Sequence, residues 1–412
     1  MSRPLFRAVA ILLVATGGCT KRESPAQPAP SARGAGPSTS AALRQAALKT
    51  VEPGTQRPAV CLSGEDAAVP RVLVQEGRKA LSAGESERAL ACAEEAARIS
   101  PRLVSALTLR ADALGALDRV DDARLAFSRA LAVDPSDPEA LLGTAELHVR
   151  RLGPARDALE AGLEYAIRGA RAPAARRDRM LGAQLELVAG MAENDLGRSH
   201  LALPHLDRAV AVLRDDADAA YERGVALYEL SRFAEAEKAF ERTLALAPGD
   251  AWALHQLGLV VERRGDAKRA ESLFARARAA SPQDFPPEVA VDAEAFGREV
   301  RAAVEALPAE EKRALAAVPV EVAELPDAED LLAVEPPLSP SILGLFRGPS
   351  DAEPCTAEDG PRCRAIVFYR KNLVRFAKDR KELERQVRVT LLHELGHLHG
   401  EDDDQLRARG LE

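Results

Sequence analysis

Between about residue 70 and residue 284 the sequence returns to the same residue types roughly every 34 positions, a period that calls for helical hairpins stacked in a row. The clearest unit runs through Trp252, Leu254, Leu257, Gly258 and Val261, then Ala270, Phe274, Ala277 and Pro282. One period earlier the slots hold Gly224, Leu227, Ala236, Phe240 and Pro248. Far upstream they hold Leu107, Ala111, Leu114, Ala123, Phe127, Ala130 and Pro135. Gly77, Ala89, Ala96 and Pro101 give a first unit, and Gly190, Ala202, Leu206 and Ala209 a fourth or fifth. Small residues at the Gly and Ala slots let the two helices of a hairpin approach closely, while Leu and Phe fill the groove to the next hairpin. Pro then stops the second helix. Gly153-Pro154 shifts the register by one, and the basic stretch from Arg168 to Arg179 interrupts the array. The count is about six repeats in two groups of three.

These residues resemble the tetratricopeptide repeat. The resemblance implies a solenoid whose concave groove takes an extended peptide or a helix of a protein partner; a spacer role for the array is the simpler alternative. Composition agrees with a helical body, since only 4% of residues are aromatic and Ala, Leu, Arg and Glu dominate the middle of the chain. The net charge of -8 comes without a basic stripe, which argues against a nucleic-acid partner.

At the N-terminus, Arg3 and Arg7 precede an apolar run from Ala8 to Thr16, and Gly17-Gly18-Cys19 follows. A spanning helix needs about twenty apolar residues, and this run is shorter. The arrangement resembles a bacterial lipoprotein signal, with residues 1–19 as the signal and Cys19 as the lipid-modified terminus. Thr16 departs from that pattern, standing where a Leu is usual. The resemblance implies a lipid anchor at the cell envelope, and Thr20, where an Asp would signal inner-membrane retention, points by analogy to the periplasmic face of the outer membrane. Residues 20–69 turn to Pro, Ala, Ser, Gly and Thr and read as a disordered tether with an r.m.s. span of roughly 40 Å. Of the remaining cysteines, proximity pairs Cys61 with Cys92 and Cys355 with Cys363 in an oxidising compartment, with four free thiols as the alternative.

Beyond Phe285-Pro286-Pro287 the pattern becomes mixed. Residues 289–307 read as an amphipathic helix, and 318–325, 342–347 and 365–370 as short strands. A capping box of Asp379 with Glu382 opens a helix through Leu383, Val387, Leu391, Leu395 and Leu398 to Gly400. That helix carries His393-Glu394-Leu395-Gly396-His397, the HExxH pattern. Residues four apart lie on one helix face with Cβ atoms roughly 5–6 Å apart, so two imidazoles can meet one zinc ion, and the intervening Glu394 can take a proton from its water. A hydrolytic site needs a third ligand, and the run Glu401-Asp402-Asp403-Asp404 supplies candidates after Gly400, a residue able to end the helix in the left-handed conformation. Asp403 completes HExxHxxGxxD, a spacing similar to that of metzincin-type sites; Asp402 is the second choice, and Asp402 or Asp404 also suits an N-cap for the last helix.

Segments LPAEEKRALAAVPVEVAELP, ILGLFRGPS, RAIVFYRKNLVRFAKDRKELERQVRVTLLHELGHLHG and DDDQLRARG resemble the bacterial minimal zincins, which carry a metzincin-like motif but no Met-turn. The Cys355–Cys363 insertion and Glu401, where an apolar residue is usual, depart from that family, and Glu401 bears on metal affinity. The resemblance implies a zinc peptidase with His393, His397 and Asp403 as ligands, Glu394 as the acid–base group, and a peptide or protein substrate added along the strand at 343–347. Tyr369 is a candidate oxyanion donor or a core residue, and His399 points off the ligand face. The expected architecture is a tetratricopeptide solenoid over 70–284 followed by a small α+β zincin-like domain over 285–412. The competing reading is a non-catalytic scaffold whose C-terminal domain keeps a structural or vestigial metal site.

Overall fold

The computed structural model describes residues 61–62, 69–355 and 363–411. The signal segment with Cys19 and nearly all of the 20–69 tether lie outside the described residues. Among those described, no helix is long and apolar enough to cross a membrane.

The repeats are helices paired as A and B arms: α1 (Pro70–Ser82) with α2 (Ser86–Ile99), α3 (Val104–Ala116) with α4 (Val120–Val133), and α5 (Pro138–Arg150) with α6 (Arg156–Arg171). After the short α7 (Pro173–Arg177) come α8 (Arg179–Asp195) with α9 (Ser199–Val212), then α10 (Ala217–Glu229) with α11 (Phe233–Leu246), and α12 (Ala251–Arg263) with α13 (Ala267–Ala280). One residue with positive φ sits between the two arms of each hairpin: Gly84, Asp118, Gly153, Gly197, Ser231 and Gly265. Their spacings of 34, 35, 44, 34 and 34 recover the period, the one-residue slip at Gly153-Pro154 and the basic interruption. Asp118 and Ser231 hold a conformation that side chains disfavour, so the slot is imposed by hairpin packing. The Gly slot works as its chemistry requires: a Cβ on Gly258 would lie 2.6 Å from the Phe274 ring.

By packing, the chain forms two compact units. One comprises the described residues up to Arg223 together with Arg242–Pro248; the other comprises Gly224–Glu241 and the chain from Gly249 onward. The division falls inside the repeat array and not at the composition change near 284, because α12 is bonded to the C-terminal domain by contacts described below. In the first unit a disulfide joins Cys61 to Cys92 on α2, beside a core of Leu73, Val74, Ala93 and Leu109.

In the second unit α14 (Ala293–Glu305), α15 (Ala309–Ala314) and a 3-10 turn (Leu315–Ala317) lead into β1 (Val320–Ala323). Then follow α16 (Ala328–Leu331), β2 (Gly344–Arg347), β3 (Ala365–Tyr369), α17 (Arg370–Phe376), α18 (Arg380–Leu398) and α19 (Asp403–Ala408). The sheet order is β1-β3-β2, with β1 parallel and β2 antiparallel to β3. The central strand is buried throughout. Its alternate residues divide between two cores, as strand geometry requires. Ile366 and Phe368 pack with Leu383, Val387, Leu391 and Leu395 of α18. Val367 and Tyr369 face Leu331, Leu338 and Ile342. Each such buried Leu, Ile or Phe contributes about 1.5–3 kcal/mol. A second disulfide joins Cys355 to Cys363 between β2 and β3.

Candidate metal centre

The helix that carries the site is fixed at both ends. Asp379 caps it, accepting from the Glu382 N–H at 2.9 Å. Only this half of the expected capping box forms, because the Glu382 carboxylate turns to Arg385. Its C-terminus closes in a Schellman turn: Gly400, at φ +82°, donates to His397 O at 3.0 Å, and Glu401 donates to Gly396 O at 2.9 Å. This reversal brings the acidic run back across the metal-facing side of the helix.

Of the three Asp residues, one turns to the imidazoles. Asp402 caps α19, accepting from Gln405 N at 2.9 Å, and Gln405 reciprocates, so its carboxylate is committed. Asp404 pairs with Arg407. Asp403 points inward, its Oδ1 lying 3.5 Å from Nε2 of both His393 and His397. The two Nε2 atoms are 3.0 Å apart. Glu401 engages Arg409 through its side chain, and so the departure from the zincin pattern stays clear of the donor set.

The tautomers follow from the partners. Nδ1 of His393 lies 2.6 Å from Leu411 O and Nδ1 of His397 lies 2.9 Å from Glu401 O. A carbonyl can only accept, so each Nδ1 carries the proton and each Nε2 presents a lone pair. Two lone pairs and a carboxylate oxygen thus converge without a proton between them. Their separations of 3.0, 3.5 and 3.5 Å match the edges of a tetrahedron whose centre lies 2.0–2.1 Å from each donor, about 3.3–3.4 Å. Asp403 Oδ1 is buried with no hydrogen-bond partner, the signature of an atom awaiting a cation. Two imidazoles and one carboxylate fit zinc.

Glu394 is fully buried next to this trio, and neither of its oxygens makes a well-formed hydrogen bond. Burial pushes its carboxyl up to about 8, against the pull of the nearby Phe346 N–H and with a further push from Asp403. Opposite Glu394 stands β2, and here glycine is obligatory. A Cβ on Gly344 would lie 2.5 Å from Thr390 Cγ2 and 3.0 Å from Glu394 Oε1.

Among the described strands β2 lies at a sheet edge. Tyr369 N–H donates to Leu343 O at 2.9 Å, which makes Leu343 and Tyr369 a hydrogen-bonded pair. By antiparallel alternation Gly344 and Phe346 direct their N–H and C=O groups away from β3.

Two side chains considered from sequence do other work. The Tyr369 hydroxyl donates to Asp330 Oδ2 at 2.6 Å, away from the donor trio, so it is not an oxyanion donor. His399 lies between Asp351 and Glu311 at 2.7 and 3.0 Å. Burial lowers its pKa, and these carboxylates more than reverse that. Sequence reasoning missed Asp330, which takes a bidentate grip on Arg347 at 2.7 and 2.6 Å, and it missed the Leu411 carbonyl. The first gave no signal beyond a capping Asp327 nearby, and the second is a main-chain atom that carries none.

Residues 315–411 match the zincin-like metallopeptidase family, and residues 108–176 and 187–251 match the tetratricopeptide repeat. The chain is a tetratricopeptide-like solenoid followed by a small zincin-like metallopeptidase domain. No curated protein matches it. Among solved structures it resembles that titled functional characterisation of Pseudomonas aeruginosa pilF, at 16% identity over 54% of this chain and 95% of that one, TM-score 0.46. It also resembles PilW, described as a type IV pilus biogenesis factor, at 18% identity over 54% and 96%, TM-score 0.44. A third likeness is to YrrB, a TPR protein with an unusual peptide-binding site, at 21% identity over 46% and 93%, TM-score 0.37.

Proposed function

We propose that this protein is a zinc-dependent peptidase of the bacterial cell envelope whose repeats recruit a protein substrate or partner. The observation that carries the reading is the convergence of three unprotonated donors beside a buried carboxylate without a hydrogen-bond partner. His393 and His397 through Nε2 and Asp403 through Oδ1 would hold the ion. Zn²⁺ bound there supplies Lewis acidity, drawing the pKa of a water toward about 7 and polarising a carbonyl. Glu394 accepts the proton of the attacking water and returns it to the leaving amine. The edge of β2 away from β3, at Gly344 and Phe346, would pair with an extended substrate by strand addition, leaving its scissile carbonyl over the donor trio.

A structural site has no use for an acid buried beside its ligands, which favours the catalytic reading over the scaffold. In the repeat unit a groove of about 1650 Å³, lined by Arg78, Leu109, Gly143 and Met180 among others, is the surface for a recruited peptide segment. A lipid on Cys19 attaches the whole to the membrane. Full-length protein carrying one zinc per chain should hydrolyse unfolded casein, and Glu394→Ala should keep its zinc while losing about 100- to 10,000-fold in rate. Equal rates for the two proteins would contradict the assignment. Cys19→Ser should move from the membrane fraction to the soluble fraction on cell disruption; unchanged fractionation would remove the anchor from the account.

A further inference from the structure

The zincin-like match begins at residue 315, yet the strand that borders Glu394 is held from well outside that span. Residues 332–343, between α16 and β2, form neither helix nor strand, and Pro336, Pro337 and Pro340 have no N–H to donate. Apart from the Leu343 carbonyl, bonded to Tyr369, this stretch has no ladder and takes its path from the groups that bind its other carbonyls. The Pro340 carbonyl accepts from Asn372 Nδ2 at 3.0 Å and from Arg263 Nη2 at 2.8 Å. Asn372 also binds Ile342 O at 2.7 Å.

Arg263 is the last residue of α12, in the final repeat hairpin. Its other terminal nitrogen donates to Pro326 O at 2.9 Å. Pro326 immediately precedes Asp327, which caps α16 through Asp330 N at 2.9 Å. Asp330 in turn grips Arg347 at the far end of β2. One guanidinium therefore fixes the entry to β2 directly and its exit through α16. The guanidinium also stands 5.1 Å over the Phe233 ring, which packs against Leu331, Leu338 and Ile342. The neighbouring Glu262 accepts from Lys371 at 2.9 Å and Arg375 at 2.7 Å on α17, the helix that follows β3, which ties the hairpin to that helix.

We infer that the last repeat hairpin belongs to the substrate-aligning apparatus of the peptidase, with Arg263 as a positioning residue for β2. The inference rests on the reading that β2 aligns an extended substrate. A planar fork that holds two carbonyls cannot be replaced by an ammonium, which reaches one.

The test uses the full chain with Arg263→Gln and Arg263→Lys, read by amide hydrogen exchange and by casein hydrolysis. In Arg263→Gln, exchange over residues 338–347 should rise by about tenfold or more while residues 380–398 keep their protection and one zinc stays bound. The apparent KM should rise about five- to tenfold with kcat within about twofold, and Arg263→Lys should fall between. Unchanged exchange over 338–347 would overturn the inference. So would a fall in kcat with loss of zinc, which marks a merely structural role. Should wild type fail to cleave casein, the functional proposal fails, and the exchange data still decide whether Arg263 holds the strand.

Discussion

Asp402 and Asp403 are adjacent and do opposite work. The first satisfies an orphan N–H at the start of α19, and the second sends its carboxylate into the imidazole pair. One residue of register along the turn after Gly400 decides between them, and the reciprocal bond from Gln405 fixes that register. Asp403→Ala should weaken zinc binding by at least about 100-fold in a chelator competition, because even partners of metal ligands are worth 10- to 100-fold. Asp402→Ala should keep the metal and cost about 0.5–2 kcal/mol of stability in thermal unfolding. The opposite pattern would exchange the two roles. From sequence alone both residues fit a ligand, since spacing after a turn is a statement about backbone conformation that residue types do not carry.

Elements were legible in proportion to their regularity. The 34-residue period gave all six hairpins, down to the slip at Gly153, because each repeat buries the same small and large residues in the same slots. The helix with the HExxH pattern was equally plain: Leu383, Val387, Leu391 and Leu395 form one stripe, and His393, Glu394 and His397 are buried in its last two turns. Strands came out shorter than their apolar runs, with Val320–Ala323 inside the expected 318–325 and Gly344–Arg347 inside 342–347. Apolar residues at the ends of those runs are buried by side-chain packing with no ladder, as at Val318 and Ile342. Arg263 was invisible as a part of the site, because its partners are carbonyls far away in sequence.

At the scale of the molecule, the composition change near 284 marks where helical repetition stops, while packing divides the chain earlier, at Arg223 and around Arg242–Pro248. The difference has a physical cause: Glu262 and Arg263 of α12 make ionic and hydrogen-bonded contacts to α17 and to the carbonyls before β2. Sequence periodicity reports local folding, and the contacts that merge the last hairpin with the sheet are long-range. Both disulfides lie within single units, and they engage all four cysteines of the described residues. The proposed hydrolysis requires His393, His397 and Asp403 to share one ion. Zinc K-edge absorption of the purified full chain is the direct measurement. The expected spectrum has two imidazole nitrogens and one or two oxygens at about 2.0–2.2 Å, with one imidazole's scattering lost in His397→Ala. Sulfur scattering near 2.3 Å, or bound zinc whose spectrum is indifferent to His397→Ala, would contradict it.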